Sequence, residues 1–187
     1  MASAVREASR QMPWPLPGAF FLTDPKRTPD PVKIVETLPP GTGVIYRHFG
    51  AEDRFDIATK LRKTCFKYGF PLLIANDPEL AIRIRADGVH WPEANAAKAR
   101  KWRGRFLIQT QSIHSVSGMN NSVCDAVLFS TVFPSNSPSA GKAMGATRFR
   151  RLILKSDRLV YALGGVNAST AEQISGFTGF AAIEGFL

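Results

Sequence analysis

Several polar residues in this chain stand where an apolar run ends, which is where α/β proteins commonly place their chemistry. Arg47 closes the run Gly43-Val44-Ile45-Tyr46 and offers a rigid, multidentate fork for a phosphate or diphosphate. The bland reading is a rim arginine paired with Asp24 or Asp77. Asn76 and Asp77 close the run Leu72-Leu73-Ile74-Ala75. Asp77 has the oxygens to hold Mg²⁺, and it is equally placed to cap a helix starting at Pro78, a role Asn76 can also take. His114 lies beside Ser112 in a polar stretch and is suited to acid–base work near neutral pH. Gly164-Gly165 closes another apolar run. Glycine lets backbone N–H groups turn toward an anion, so phosphate is the favoured ligand there, with Gly185 as a helper. The alternative is a turn that merely needs glycine. The segment 131–145, TVFPSNSPSAGKAMG, carries hydroxyls such as Ser135 and one lysine, Lys142. It reads either as a loop folding over a phosphorylated ligand or as a surface excursion.

The elements that must position these groups follow one pattern. Strands are expected at 19–23, 43–47, 72–75, from 89, 105–110, 125–130, 159–163 and 177–182. Helical runs are expected at 32–38, 55–66, 79–85, from 93 to 104, 146–154 and 171–174, while 111–115 reads as a poor helix at best. Eight apolar strands alternating with mostly helical connections predict a (β/α)8 TIM barrel, since no Gly-x-Gly-x-x-Gly follows the first strand. The candidate residues would then share one rim. Residues 1–18 read as a loose N-terminal arm punctuated by proline, and 19–187 as a single barrel domain. Little chain follows the eighth strand, so the last outer helix is expected to be short or missing. Either a homodimer or the arm carrying Trp14 would cover the apolar flank this leaves.

Composition narrows the function classes. Hydrophobic residues make up 44% of the 187 and charged residues 21%, which are globular values. No run approaches the length of a membrane span, and no apolar segment follows the N-terminal arginines as a secretory signal would require. Cys65 and Cys124 are too far apart in context to suggest a disulfide framework, and a reduced cytoplasmic chain is expected. The net charge of +9 suits a phosphorylated substrate or a basic surface; no nucleic-acid-binding motif accompanies it, so nucleic acid is not the expected partner. His48, His90 and His114 lack zinc-ligand spacing, and no Ser-His-Asp triad stands out from the many rim serines. His90 reads more readily as a satisfied core histidine than as a functional group.

The ordered motifs resemble those of the thiamine-phosphate synthase and TenI superfamily, single-domain (β/α)8 barrels of thiamine biosynthesis. Leu73-Ile74-Ala75-Asn76-Asp77 and Ala86-Asp87-Gly88-Val89-His90 resemble its Asn-Asp and Ala-Asp-Gly-Val-His signatures. Ser112-Ile113-His114-Ser115 is similar to its Ser-x-His-Ser segment, Val132-Phe133-Pro134-Ser135 to its Val-Phe-Pro-Thr loop, and Ala162-Leu163-Gly164-Gly165-Val166 to its seventh strand. The resemblance implies joining of a hydroxymethylpyrimidine diphosphate to a thiazole phosphate, with release of diphosphate and with Mg²⁺ as cofactor. It implies that Arg47 binds diphosphate, Asn76 orients it, Asp77 holds the metal and Ser112 contacts the pyrimidine. Gly165 and the amides after strand eight would hold the thiazole phosphate.

The chain departs from that pattern at three places. Ile45-Tyr46-Arg47-His48-Phe49 stands where the family shows Gln-x-Arg-x-Lys. Trp91-Pro92-Glu93-Ala94-Asn95 stands where it shows Leu-Gly-Gln-Glu-Asp, which puts Asn95 at the second metal ligand with Glu93 as the nearby substitute. The loop lysine falls at Pro138, four residues before Lys142. A TenI-like thiazole phosphate tautomerase is the alternative, with His114 as its proton shuttle. A non-catalytic phosphometabolite-binding barrel is the third reading, and a rim blocked by Phe49, Trp91 and Pro138 would favour it.

Overall fold

A computed structural model describes all 187 residues except 136, 138 and 139. Eight parallel strands close into a barrel in chain order: β1 (Ala19–Leu22), β2 (Thr42–Tyr46), β3 (Leu72–Ala75), β4 (Gly88–Trp91), β5 (Ile108–Ile113), β6 (Ala126–Ser130), β7 (Leu159–Leu163) and β8 (Phe180–Ala182). The ring is sealed by β8 pairing with β1, Phe180 opposite Ala19 and Ala182 opposite Phe21. Parallel strands need long crossovers, and helices supply them: α2 (Pro31–Val35), α3 (Arg54–Tyr68), α4 (Pro78–Arg83), α5 (Ala96–Lys101), α6 (Val116–Asn121), α7 (Ala146–Ile153) and α8 (Ala168–Glu172).

Both faces of each strand are covered, which is why the strands read as unbroken apolar runs rather than as alternation. Phe20, Leu22, Ile45, Leu73, Leu128 and Tyr161 fill the barrel interior, so it is a packed core and not a pore. The ring centroids of Phe20 and Tyr161 are 5.1 Å apart, and the Tyr161 hydroxyl donates to the Pro17 carbonyl at 2.6 Å, fastening the amino-terminal end of the barrel. Phe21, Val44, Tyr46, Leu72, Ile74 and Trp91 point the other way, into the layer beneath the helices. Gly88 is required by this packing: a Cβ there would sit 1.9 Å from the Ile108 carbonyl oxygen.

Two expectations need correction. Residues 2–9 are not loose: they form helix α1 (Ala2–Ser9), whose Ala4, Val5 and Ala8 are buried in one cluster with Phe180, Ala171 and Ile174. After β8 the sequence makes only a 3₁₀ turn at Glu184–Phe186, and α1 packs on the flank formed by β1 and α8. The arm does cover that flank, through helix α1 rather than through Trp14, which is 86% exposed.

The fifth strand begins three residues later than the apolar run Arg105-Phe106-Leu107 suggests. Phe106 stacks outside on Trp102, and Leu107 is half exposed. The strand instead buries Gln109, Thr110 and Gln111, whose side chains pair with Trp91, His90 and Ser122. Buried polar residues are stable only when so paired, and hydropathy alone does not reveal them. The shift places Ser112 within β5 and lets 116–121 form α6, capped by the Ser115 hydroxyl, which accepts from the Gly118 amide at 3.0 Å. Among the described residues, no helix is long and apolar enough to cross a membrane.

Candidate functional site

At the carboxyl ends of the strands lies a cavity of about 700 Å³. It collects Arg47, Asn76, Ser112, His114, Ser135, Gly164, Gly165 and Gly185, which the sequence scatters over 139 positions, 47 to 185. Asp77, Glu93, Asn95 and Lys142 are not among its lining residues.

One part of the cavity wall is cationic. Arg47 follows β2, with its backbone N–H donating to the Thr23 hydroxyl at 2.8 Å. Its two possible carboxylate partners are both taken. Asp24 is held by Arg27 at 2.9 Å and by the amides of Lys26 and Arg27, which together pull its carboxyl down to about 2, the Arg27 side chain leading. Asp77 is held by Arg54. Among the described residues, no carboxylate oxygen lies within 4 Å of the Arg47 guanidinium. Burial lowers the pKa of Arg47; nearby Asp24 opposes this and Arg27 adds to it. A guanidinium does not deprotonate in such a setting, so Arg47 is a desolvated positive charge at the cavity wall beside Arg27. An anion would relieve that repulsion.

Asn76 lies beside them with φ of 55°, a left-handed conformation that asparagine tolerates. Its backbone N–H donates to the His90 carbonyl at 2.8 Å, and its side-chain oxygen accepts from the Asn95 amide at 2.6 Å. Glycines that follow β7 and β8 line another part of the wall. Gly164 and Gly165 have φ of 89° and 64°, and Gly185 lies in the turn after β8. Among the described residues, no backbone carbonyl outside the helices and strands accepts the N–H of Gly164 or Gly165. Close packing also demands glycine here: a Cβ at Gly165 would come within 2.2 Å of the Pro134 oxygen, and one at Gly185 within 2.5 Å of the Val166 oxygen. Both readings of these glycines therefore have a physical basis.

His90, also lining the cavity, is buried on β4. Its Nδ1 is 2.8 Å from the Thr110 hydroxyl and its Nε2 is 2.8 Å from the Ser112 hydroxyl. Burial, with a lesser push from Arg47, lowers its pKa to about 3, so the ring is neutral and satisfied at physiological pH. His90 acts on the site through Ser112, which it orients. His114 is exposed at the cavity mouth, held by its backbone N–H donating to Glu93 at 2.9 Å. Glu93 also accepts from the Ser115 hydroxyl at 3.2 Å, so its carboxylate anchors the start of α6.

The segment after β6 is tied at its base. Val132 and Phe133 are buried and donate to the Leu163 and Gly164 carbonyls, both at 3.0 Å, while Gly145 returns to Val132 at 2.8 Å. Ser135 reaches the cavity; Lys142 is exposed outside it. Pro138 lies outside the described residues. Phe49 does line the rim, but Trp91 is buried beneath the helices with its indole N–H on Gln109 at 2.8 Å, so it cannot block the mouth.

The donors proposed for magnesium do not form a metal site. One Asp77 oxygen caps α4 by accepting from Leu80 N–H at 2.9 Å, and the other lies 3.5 Å from Nε of Arg54. Asn95 offers a neutral amide, and Glu93 is occupied elsewhere. Mg²⁺ favours near-octahedral oxygen coordination through carboxylates, and among the described residues no group of three or more His, Cys, Asp or Glu side chains converges. Arg27 and Arg54 are the site-related residues that pattern reading missed. Arg27 is hidden in a proline-rich loop, and Arg54 looks like one more solvated charge at a helix start.

A family profile and the curated relatives point to one family. The sequence profile described as thiamine monophosphate synthase matches residues 19–186. The thiamine-phosphate synthase of Limosilactobacillus reuteri is 31% identical over 142 residues, covering 70% of this chain and 65% of that protein. The Bacillus velezensis thiamine-phosphate synthase is 27% identical over 181 residues, 89% of this chain and 80% of its own length. A solved thiamine phosphate pyrophosphorylase from Pyrococcus furiosus superposes with a TM-score of 0.70 at 22% identity, covering 89% of this chain and 85% of that one, a likeness of fold.

Proposed function

Because this chain belongs to the thiamine monophosphate synthase family, we propose that it is a transferase joining a hydroxymethylpyrimidine diphosphate to a thiazole phosphate. The observation that carries this reading is one cavity lined by two kinds of anion-binding group, arginine side chains and glycine backbone. Arg27 and Arg47 line its wall after β1 and β2, and Gly164, Gly165 and Gly185 line it after β7 and β8. A single small phosphate ester needs one anion pocket. Two substrates that each carry phosphate, and must meet in between, need two.

In this reading the diphosphate sits against Arg47, Arg27 and Asn76, and the thiazole phosphate takes hydrogen bonds from the amides of Gly164, Gly165 and Gly185. The thiazole nitrogen attacks the pyrimidine methylene carbon. A carbon–nitrogen bond forms, the carbon–oxygen bond to diphosphate breaks, and diphosphate leaves with the electron pair. The desolvated Arg47 guanidinium, with Arg27 near it, is fixed in advance to meet that negative charge, an effective way to lower such a barrier. Ser112, oriented by His90, donates or accepts a hydrogen bond at the pyrimidine. Magnesium, where bound, would neutralise diphosphate charge; no step here is assigned to it, because Asp77 and Asn95 are committed elsewhere.

Sequential calorimetry tests whether the cavity holds both phosphorylated ligands at once. Thiazole phosphate should bind protein already saturated with a non-reactive pyrimidine diphosphate analogue. Mutual exclusion of the two ligands would contradict it.

A second reading, a TenI-like thiazole phosphate tautomerase, is supported by His114 at the mouth of the cavity. It requires that His114→Ala abolish isomerisation of the thiazole carboxylate phosphate while binding persists. Unchanged isomerisation in that variant would remove it.

A further inference from the structure

We propose that this chain binds diphosphate with arginines alone, because Arg54 occupies the carboxylate that a divalent cation would need. The inference rests on the transferase reading of the same cavity and concerns how that cavity handles charge.

Arg54 starts α3 and is only partly accessible, yet every face of its guanidinium is engaged. Its terminal nitrogens donate to the His48 carbonyl at 2.6 Å and the Ala75 carbonyl at 3.2 Å. Its Nε faces Asp77 at 3.5 Å. Its flat surface lies over the rings of Tyr46 and Phe49, at 5.2 and 5.4 Å from their centroids. Arg54 thus ties the ends of β2 and β3 together and gives Asp77 a permanent counter-charge. A metal ion would have to displace a guanidinium held by five contacts, and would find one carboxylate oxygen already capping α4.

Asn95 is equally unsuited to hold a cation. An amide has no charge to attract a cation, and here its N–H₂ donates to Asn76 at 2.6 Å. That bond fixes the Asn76 side chain at the cavity wall without a metal bridge. The positive charge left for the ligand is on Arg47, which has no carboxylate within 4 Å among the described residues; Arg27, also on the cavity wall, is paired with Asp24 at 2.9 Å.

Calorimetric titration with sodium diphosphate, in EDTA and then in excess magnesium chloride, tests this on the intact protein. Diphosphate should bind in EDTA, and magnesium should leave the affinity unchanged or weaken it by complexing the free ligand. Arg47→Ala should weaken binding at least tenfold, with an unchanged circular dichroism spectrum. Binding that appears only with magnesium would overturn the inference and leave the transferase reading intact. Binding in neither condition would overturn both. Binding in EDTA that survives Arg47→Ala unaltered would overturn the assignment to arginine. Manganese paramagnetic resonance gives an independent check: quenching of the free Mn²⁺ signal by the wild-type protein in the absence of diphosphate would contradict the occupation of Asp77 by Arg54.

Discussion

Nε2 of His90 lies 2.8 Å from the hydroxyl of Ser112, and both belong to strands whose ends open into the cavity. The bond is made by an imidazole buried so completely that its pKa falls to about 3. A neutral ring in this position makes stability depend on pH. Between the ordinary histidine value near 6.5 and about 3, the unfolded chain binds a proton that the folded chain refuses. The contribution is therefore fully present above pH 6.5 and is lost as pH falls toward 3. Its limiting slope is about 1.4 kcal/mol per pH unit. Denaturant midpoints measured from pH 7 to pH 4 should fall, and His90→Asn should flatten that dependence. Equal slopes in the two proteins would contradict the assignment.

Arg47 should behave as a binding residue with little structural role. Its guanidinium makes no ion pair within 4 Å among the described residues. Arg47→Ala should leave the melting temperature close to that of the wild type and weaken binding of the pyrimidine diphosphate. Loss of one charged hydrogen-bonding group is worth about 1.5–3 kcal/mol, roughly 10- to 150-fold in dissociation constant. A large loss of stability with unaltered affinity would reverse the assignment.

Gly165 should behave in the opposite manner. Its φ of 64° and the 2.2 Å approach of the Pro134 oxygen leave no room for a methyl group. Gly165→Ala should cost roughly 1–3 kcal/mol of stability, read from denaturant unfolding. Because the strain displaces the 133–134 backbone, thiazole phosphate affinity should fall with it. An alanine variant with unchanged stability would contradict the packing described here.

Helix α1 should be part of the folding unit. Val5 is fully buried against the flank of β1 and α8. Val5→Ala should destabilise the protein by roughly 1–3 kcal/mol. A neutral effect in denaturant unfolding would mean that α1 does not contribute to the core.

Much of the architecture was legible because a doubly covered parallel strand is a short apolar burst ended by polar residues. Leu72-Leu73-Ile74-Ala75, stopped by Asn76-Asp77, is the clearest case, and the strand occupies those four residues. Strand β5 was misplaced for the opposite reason: it buries polar side chains whose partners lie on neighbouring strands. The site divides along the same line. Arg47, Ser112, His114 and the three glycines could be placed at one rim from strand order alone. That Asp77 faces Arg54 could not, since the two are 23 positions apart and their meeting depends on how α3 leaves β2. Asp77 carried two open roles in the sequence, cap and metal ligand; the structure gives it the cap and an arginine.

Phosphorus NMR of one reaction mixture follows the transfer itself. The purified protein is incubated with the pyrimidine diphosphate and the thiazole phosphate in magnesium-containing buffer. The account predicts that free diphosphate and thiamine phosphate resonances grow in equal amounts, and that Arg47→Ala slows both together. Substrate resonances that persist unchanged, under conditions where an active thiamine-phosphate synthase completes the reaction, would contradict it.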